Sequence, residues 1–313
     1  MTTSLAPFRL EPVYQERVWG GRWIGELPSR VLPGTAPVGE SWEMVDRPEA
    51  QSVVRGGTFD GKTLHDLWAR HRAEVFGEAA TGDRFPLLIK VLDAADTLSV
   101  QVHPPAAVAS EMGGEPKTEM WYLLDALPGA HVYAGLRAGV GREGFREALE
   151  AGRVEECLHR IPVQAGDAIF IPSGRVHAIG AGCRILEVQQ NSDTTYRVFD
   201  WNRTGLDGRP RALHLEESMR CIDFADPEPA LAVIDEGGVV VECPLFRVER
   251  VEIAGSADLL GDAGWAVVFV VEGSLVWGDE RFERGTTVVV PNASRGGRFS
   301  TADGPAVVLR ITG

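Results

Sequence analysis

Several features that would assign this sequence of 313 residues to a familiar class are scarce or missing. It has four cysteines, Cys157, Cys183, Cys221 and Cys243, and no two of them form a C-x-x-C pair. This spacing argues against a structural zinc knot or a disulfide scaffold and favours buried, reduced thiols. Apolar runs such as 265–271 are far shorter than the roughly 20 residues that a membrane-spanning helix needs.

Basic residues are fewer than acidic ones. The sequence has 31 Lys and Arg residues against 45 Asp and Glu residues, which gives a formal net charge of -14. A field of that sign repels nucleic acid and anionic membrane surfaces, so we predict neither as a partner. The first ten residues lack the basic and apolar segments of a signal peptide, so we expect a cytoplasmic protein.

The patterning predicts a mainly β protein with a few flanking helices. Short apolar runs are separated by turns in a chain with 36 Gly and 19 Pro, which is typical of many short strands. Helical spacing is confined to 63–76, to 142–158 with a break at Gly152, and to a segment after His214. The predicted strands are 85–92, 97–103, 119–125, 131–135, 167–171, 184–190, 195–201, 245–253, 265–271, 274–277, 286–290 and 306–311.

An internal repeat indicates two β units in tandem. The segment Gly166–Pro172 is matched by Gly285–Pro291, with Gly and Pro six residues apart in both. His177 follows the first copy, whereas Gly296 stands at the matching place after the second. With a linker-like stretch beginning at residue 225, we predict a catalytic domain over 1–224 and a β domain over 225–313 that lacks metal ligands.

Three polar residues share one face of the predicted strand 97–103. Side chains alternate along a strand, so Ser99, Gln101 and His103 point the same way. An ordinary half-exposed strand would show the same pattern. A functional site is favoured because the preceding segment 85–92 looks buried on both faces, and because buried polar groups need partners.

Two further segments supply side chains that could take part in the same site. Alternation puts Lys117, Glu119 and Trp121 on one face, and the turn after Gly166–Pro172 re-aims His177. Each such residue alone is more often structural than catalytic. Together with Gln101 and His103, however, Glu119 and His177 supply one amide oxygen, one carboxylate and two imidazoles. That set suits Zn²⁺ or another divalent first-row ion.

Several motifs, in order, carry a resemblance to a known family. The segment from Gly166 to His177 is similar to the second motif of the cupin superfamily. Four further runs resemble type I mannose-6-phosphate isomerases of the short bacterial form, over roughly two thirds of the chain, from Val18 to His214. These runs are Phe85-Pro-Leu-Leu-Ile-Lys90, Leu98-Ser-Val-Gln-Val-His-Pro104, Lys117-Thr-Glu-Met-Trp-Tyr122 and Leu186-Glu-Val-Gln-Gln-Asn-Ser-Asp-Thr-Thr-Tyr-Arg197.

The resemblance implies a fold of two tandem cupin-type (jelly-roll) β-barrels, and an isomerase that interconverts mannose 6-phosphate and fructose 6-phosphate through an enediol. It implies one zinc ion per chain, held by Gln101, His103, Glu119 and His177. On this basis we expect Lys117 and Asp193 to share ring opening and proton transfer, and Arg197 to stabilise the enediolate. The remaining predicted residues are Lys90 and Ser99, which contact the phosphate, and Trp19 and Glu187, which shape or order the site.

Other functions remain open at this stage. A cupin oxygenase would use a similar metal set, but it has no evident use for Lys90, Lys117 and Arg197. A non-catalytic cupin that binds a sugar phosphate would not require a metal beside a titratable lysine. An isomerase of unphosphorylated sugars is the third alternative. We expect a monomer or a homodimer whose partner is a small sugar phosphate.

Overall fold

The computed structural model of this protein describes residues 5–313 and is built mainly of β-strands. The first half of the chain contains strands β1 (Phe8–Leu10), β2 (Val13–Gly21), β3 (Val38–Met44), β4 (Asp46–Arg47), β5 (Ala50–Gln51), β6 (Val54–Arg55), β7 (Leu87–Ala94), β8 (Val100–Val102), β9 (Glu119–Ala126) and β10 (His131–Leu136). The next strands are β11 (Leu158–Pro162), β12 (Ala168–Ile171), β13 (His177–Ile179), β14 (Cys183–Gln190) and β15 (Tyr196–Phe199). The last are β16 (Val239–Glu242), β17 (Arg247–Ile253), β18 (Ser256–Ala257), β19 (Ala266–Glu272), β20 (Ser274–Trp277), β21 (Glu280–Glu283), β22 (Thr287–Val290), β23 (Phe299–Thr301) and β24 (Ala306–Thr312).

Helices are short and flank the sheets. The α-helices are α1 (Leu64–Arg70), α2 (Arg72–Phe76), α3 (Ala106–Ala109), α4 (Arg142–Glu150) and α5 (Leu215–Cys221), and the 3₁₀ turns are Trp23–Glu26, Ser110–Met112, Val154–Cys157 and Asn292–Ser294. None of the helices in residues 5–313 combines the length and the apolar character needed to cross a membrane.

The predicted mainly β architecture is confirmed, and every predicted strand overlaps an observed one. The predicted helix 63–76 is instead two helices, because His71 leaves the helical conformation with φ -127° between α1 and α2. Its predicted start is confirmed by a capping box, in which the Thr63 side chain accepts from the Asp66 N–H and the Asp66 carboxylate accepts from the Thr63 N–H. Helix α4 ends at Glu150, before the predicted break at Gly152.

Two sheets enclose the region where the predicted site residues lie. One is six-stranded, in the order β12-β9-β14-β7-β2-β3, and the other is five-stranded, in the order β11-β10-β13-β8-β15. Apolar side chains from both sheets form one buried cluster that includes Trp121, Val132, Ile169 and Ile179. We call these two sheets the catalytic pair, because the predicted metal ligands lie on or beside their strands.

Two other sheets are built largely from the end of the chain. Their orders are β16-β17-β24-β19-β22-β1-β6 and β18-β23-β20-β21. The N-terminal strand β1 belongs to the first of them, with Phe8 opposite Val289. The division into domains 1–224 and 225–313, and the closure of each unit into a jelly-roll barrel, stay predictions.

Side chains of β9 alternate between two environments: the interior of the catalytic pair, and the apolar core that this pair shares with the seven-stranded sheet. Met120 and Tyr122 lie in the largest apolar cluster, which also contains Phe269 of β19 in the seven-stranded sheet. Trp121 belongs instead to the cluster inside the catalytic pair. Glu119 and Trp121 therefore face the interior of the catalytic pair, as the sequence pattern predicted.

Candidate metal centre and cavity

Two imidazoles and one carboxylate meet inside the catalytic pair. His103 directly follows β8, His177 is the first residue of β13, and Glu119 is the first residue of β9. One potential ligand atom from each lies within 4.8 Å of the others. Nε2 of His103 is 3.3 Å from Oε2 of Glu119, and Nε2 of His177 is 3.5 Å from Oε1 of Glu119. Three residues distant in sequence are therefore brought together, as predicted.

The atoms of this cluster that could bind a metal are buried and make no hydrogen bonds in the described residues. Nε2 of His103, Nε2 of His177 and both carboxylate oxygens of Glu119 make no hydrogen bond in the described residues, although Oε2 of Glu119 has an ion pair with Lys117. Such atoms are costly to bury without a partner. Ligands about 2 Å from a tetrahedral zinc ion lie about 3.3 Å apart, which matches the two observed N–O distances. The cluster therefore fits a divalent ion in both chemistry and spacing.

The other ring nitrogen of each histidine fixes the imidazole for metal binding. Nδ1 of His103 lies 3.0 Å from the carbonyl oxygen of Thr194, and Nδ1 of His177 lies 2.8 Å from that of Arg175. A carbonyl can only accept, so Nδ1 carries the proton and the Nε2 lone pair faces Glu119. Burial, followed by the charge of Lys117, lowers the pKa of His103 to about 4. Burial also lowers the pKa of His177, so both rings are neutral at neutral pH.

Gln101 lies beside the cluster. It stands opposite His177 in the antiparallel pair of β8 and β13, and opposite Arg197 in the pair of β8 and β15. Residues directly opposite each other in such a pair point to the same face, about 5 Å apart. Gln101 therefore shares its face with His177. Its role as the fourth ligand stays a prediction.

Lys117 connects the metal cluster to the adjoining cavity. Its Nζ lies 3.1 Å from Oε2 of Glu119, and both side chains are buried. Burial alone would raise the pKa of Glu119, but the attraction of the Lys117 ammonium group holds this pKa well below its usual range. Glu119 is therefore an anion at neutral pH, as a carboxyl group that binds a metal must be.

A second buried ion pair lies one strand further across the sheet. Nζ of Lys90 is 3.1 Å from Oε1 of Glu187, and the indole N–H of Trp121 donates to Oε2 of Glu187 at 3.1 Å. Burial favours the neutral form of Lys90, but the charges of Glu187 and Glu40 together raise its pKa. Lys90 is thus a fixed cation rather than a proton donor at neutral pH.

One cavity of about 420 Å³ collects the remaining predicted site residues. It is lined by every residue predicted to act on or bind the substrate, namely Trp19, Lys90, Ser99, Lys117, Glu187, Asp193 and Arg197, and also by Gln101. Their roles stay predictions.

Three charged residues that line the cavity were missed: Arg17, Glu40 and Arg211. In the segment 38–44, polar residues occur at adjacent as well as alternating positions, so the sequence shows no strict period-2 pattern. In the structure all seven residues are buried. Arg211 lies in a loop, where no periodicity exists to place it. Glu40 stands between Gly39 and Ser41, so no local apolar pattern marked it, and its cationic partner Arg17 comes from another strand.

The cavity carries an excess of positive charge. The cations that line it are Arg17, Lys90, Lys117, Arg197 and Arg211, and the acids are Glu40, Glu187 and Asp193, so five positive groups face three negative ones. Across residues 5–313, Arg197 makes no salt bridge, and its Nη1 donates to the Ala212 carbonyl at 2.8 Å. Burial and the charge of Arg211 lower the pKa of Arg197, as expected for two neighbouring cations. In a chain of net charge -14, this is the locally basic pocket that an anionic substrate needs.

The fold and site define the class: a mainly β protein suited to a metal ion and an anionic small molecule.

Comparisons with known proteins agree with this class. The family described as phosphomannose isomerase type I, catalytic domain, matches residues 7–122. The mannose-6-phosphate isomerase of Streptococcus mutans is 39% identical over 303 residues, covering 94% of this chain and 95% of that protein. ManA, the mannose-6-phosphate isomerase of Bacillus subtilis, is 39% identical over 281 residues, covering 87% of each. The crystal structure of the mannose 6-phosphate isomerase from Bacillus subtilis superposes with a TM-score of 0.86 at 33% identity, covering 99% of both chains.

The chain belongs to the type I mannose-6-phosphate isomerase family. The predicted resemblance is thereby confirmed, along much more of the chain than the motifs had indicated.

Proposed function

We propose that this protein is a metal-dependent aldose-ketose isomerase that interconverts mannose 6-phosphate and fructose 6-phosphate. The observation that carries the proposal is the cluster of His103, Glu119 and His177, whose buried ligand atoms make no hydrogen bonds in the described residues, beside a cavity lined by titratable and cationic side chains. The family relationship supports this reaction over the oxygenase and non-catalytic alternatives.

The ligands of the ion would be Gln101, His103, Glu119 and His177. We propose zinc, because two imidazoles with oxygen donors at this spacing suit it, and no thiolate is among the proposed ligands. A divalent ion bound here would polarise the carbonyl and hold the neighbouring substrate oxygens in one plane, worth several kcal/mol of transition-state stabilisation.

The protein's own groups would move the protons. Isomerisation transfers hydrogen between C1 and C2 through an enediol, so an acid and a base must lie beside those carbons. Lys117 and Asp193 both line the cavity, and Lys117 also contacts Glu119, so we assign ring opening and proton transfer to this pair. Arg197, with no carboxylate partner in the described chain, would stabilise the negative enediolate.

The other end of the substrate would meet Lys90 and Ser99. Lys90 is a permanent cation by virtue of its neighbours, which suits a phosphate dianion. Glu187 would order Lys90 through the 3.1 Å ion pair, and Trp19 would close one wall of the cavity. The net positive lining favours a phosphorylated sugar over a free one.

A coupled assay with mannose 6-phosphate tests the function directly. We expect turnover, its loss on chelation, and its return with Zn²⁺, with free mannose turned over far more slowly. His103→Ala should lose both metal and turnover, whereas His159→Ala, which changes a histidine outside the site, should keep both. Full turnover in His103→Ala after loss of the metal would refute the mechanism. Binding of mannose 6-phosphate without turnover, or metal-dependent oxygen consumption, would refute the function. The cytoplasmic location and the monomeric or dimeric state stay predictions.

A further inference from the structure

Arg17 is a cation of the cavity for which the isomerase chemistry described above has no use. It lies on β2 and lines the cavity. Its Nε donates to Oε1 of Glu40 at 2.8 Å, its Nη2 lies 3.3 Å from Oε2, and its Nη1 lies 3.2 Å from the Glu16 carbonyl. A guanidinium has five N–H donors, so these bonds leave two for another acceptor. The Arg17 side chain retains 30% of its accessible surface.

Glu40 holds Arg17 in a fixed position. The carboxylate is almost completely buried, and it also accepts a hydrogen bond of 2.6 Å from the indole N–H of Trp42. Burial would raise the pKa of Glu40, but Lys90 and Arg17 attract its charge and lower the pKa to about 2. The acid is therefore ionised at every physiological pH, and the guanidinium that it binds keeps one orientation.

Arg17 lies at the opposite side of the cavity from the metal cluster. In the six-stranded sheet, β3 carries Glu40 and pairs with β7, while β9 carries Glu119. Strands β14 and β7 lie between β9 and β3, so three strand spacings, about 14 Å, separate the two carboxylates across the sheet. Reacting carbons placed beside Glu119 would leave the far end of a six-carbon chain pointing towards Lys90 and Arg17.

We propose that Arg17, held by Glu40, is a specificity-determining residue that binds the phosphate of the substrate at the end of the cavity remote from the metal cluster. The inference rests on the proposed function and adds to it a phosphate ligand beyond Lys90 and Ser99. Arg17 also neutralises Glu40, which would otherwise repel a phosphate and draw Lys90 away from it.

Steady-state kinetics of Arg17→Ala test the proposal, with Arg22→Ala as the matched control. Arg22 follows β2 directly, is exposed and bonds to the Ala36 carbonyl outside the cavity. We expect Arg17→Ala to raise KM for mannose 6-phosphate about 10- to 100-fold, the loss typical of a hydrogen bond between charged groups. The value of kcat should change by less than about 3-fold, since the acid/base groups are untouched.

Inorganic phosphate is the probe that isolates the phosphate contact. Its inhibition constant as a competitor should rise in Arg17→Ala in parallel with KM, whereas metal content should equal that of the wild type. Arg17→Lys should recover part of the loss, because it keeps the charge but not the two-point contact with Glu40. Unchanged KM and inhibition constant, or a fall in kcat alone, would overturn the proposal.

Two further measurements keep the result interpretable. If Arg17→Ala does not fold because Glu40 is left unpaired, the double variant Arg17→Ala/Glu40→Gln removes both charges, and its KM must still rise. If the wild type shows no isomerase activity, the proposed function fails on that assay. Calorimetric binding of mannose 6-phosphate to wild type and Arg17→Ala then decides the phosphate role separately, with equal affinities counting against it.

Discussion

The ammonium group of Lys117 lies 3.1 Å from Oε2 of Glu119, a carboxylate oxygen that is also 3.3 Å from Nε2 of His103. Lys117 lines the cavity as well, so one amine touches both a proposed metal ligand and the space proposed for the substrate. This contact is what joins the candidate metal centre to the acid/base chemistry.

Replacing Lys117 should therefore separate catalysis from metal binding. We expect Lys117→Ala to lower kcat by about 10²- to 10⁴-fold, the usual contribution of a general acid or base. Its metal content should stay that of the wild type, because lysine is not one of the proposed ligands. The coupled assay and metal analysis of purified protein measure the two effects.

Two variants control that experiment. Lys62→Ala removes an exposed lysine outside the cavity and should leave kcat unchanged. Lys117→Arg keeps a positive charge but cannot release a proton at neutral pH, so it should be nearly as inactive as Lys117→Ala. Wild-type turnover in Lys117→Arg would show that the residue acts through its charge alone.

Removing the metal should destabilise the fold as well as stop the reaction. The ligand atoms of His103, Glu119 and His177, which make no hydrogen bonds in the described residues, would then remain buried without the ion. At a free zinc concentration 100 times the dissociation constant, binding adds about 2.7 kcal/mol to the free energy of unfolding. Thermal unfolding with chelator and with Zn²⁺ measures this difference. The zinc-dependent rise in Tm should disappear in His177→Ala and persist in His159→Ala, and an equal Tm with and without zinc in the wild type would contradict the site.

The ion pair of Glu40 predicts a pH-dependent contribution to stability. Its pKa in the folded protein is about 2, below the ordinary value of 4.5 that applies in the unfolded chain. The ionised carboxylate therefore stabilises the fold above pH 4.5, and this stabilisation is lost as the pH falls towards 2. The difference between the two pKa values corresponds to about 3 kcal/mol.

Urea unfolding of wild type and Glu40→Gln at pH 7, 5, 4 and 3 measures that contribution. We expect the difference between their free energies of unfolding to be largest at pH 7 and to shrink steadily below pH 4.5. Glu11→Gln, which changes an exposed glutamate, should show no such trend. A difference that stays constant from pH 7 to pH 3 would exclude a lowered pKa for Glu40.

A buried ion pair also connects the catalytic pair to the seven-stranded sheet. Arg30 donates to both carboxylate oxygens of Glu43, at 3.0 and 2.7 Å, and Thr287 of β22 donates to Oε2 of Glu43 at 2.9 Å. Arg30→Ala should lower the free energy of unfolding by about 3–5 kcal/mol, because it leaves the charge of Glu43 buried without a counterion. Arg281→Ala, which breaks an exposed pair with Asp303, should cost less than about 1 kcal/mol. Equal losses for the two variants in urea unfolding would show that the contact is not energetically important.

Alternation was sufficient to predict the faces of the strands that carry the metal ligands. Gln101 and His103, and likewise Glu119 and Trp121, point into the catalytic pair because side chains of a strand alternate whatever the strand's partners are. The same argument failed for the segment 38–44. Its Glu40 and Glu43 lie on opposite faces, and each is buried against an arginine from elsewhere in the chain. A lone carboxylate in a sequence does not reveal such a distant partner.

The sequence by itself determined the strands, the chemistry of the ligand set and the motifs of the family, because these depend on local spacing and residue type. Only the tertiary structure decided which side chains share a space. It placed His103, Glu119 and His177 within 4.8 Å of one another, and it brought Arg17 and Arg211 to a cavity that the strand pattern gave no reason to assign to them. The physical reason is that charge pairing and burial depend on sheet order and on how the sheets pack. Both are set by contacts between residues far apart in the chain.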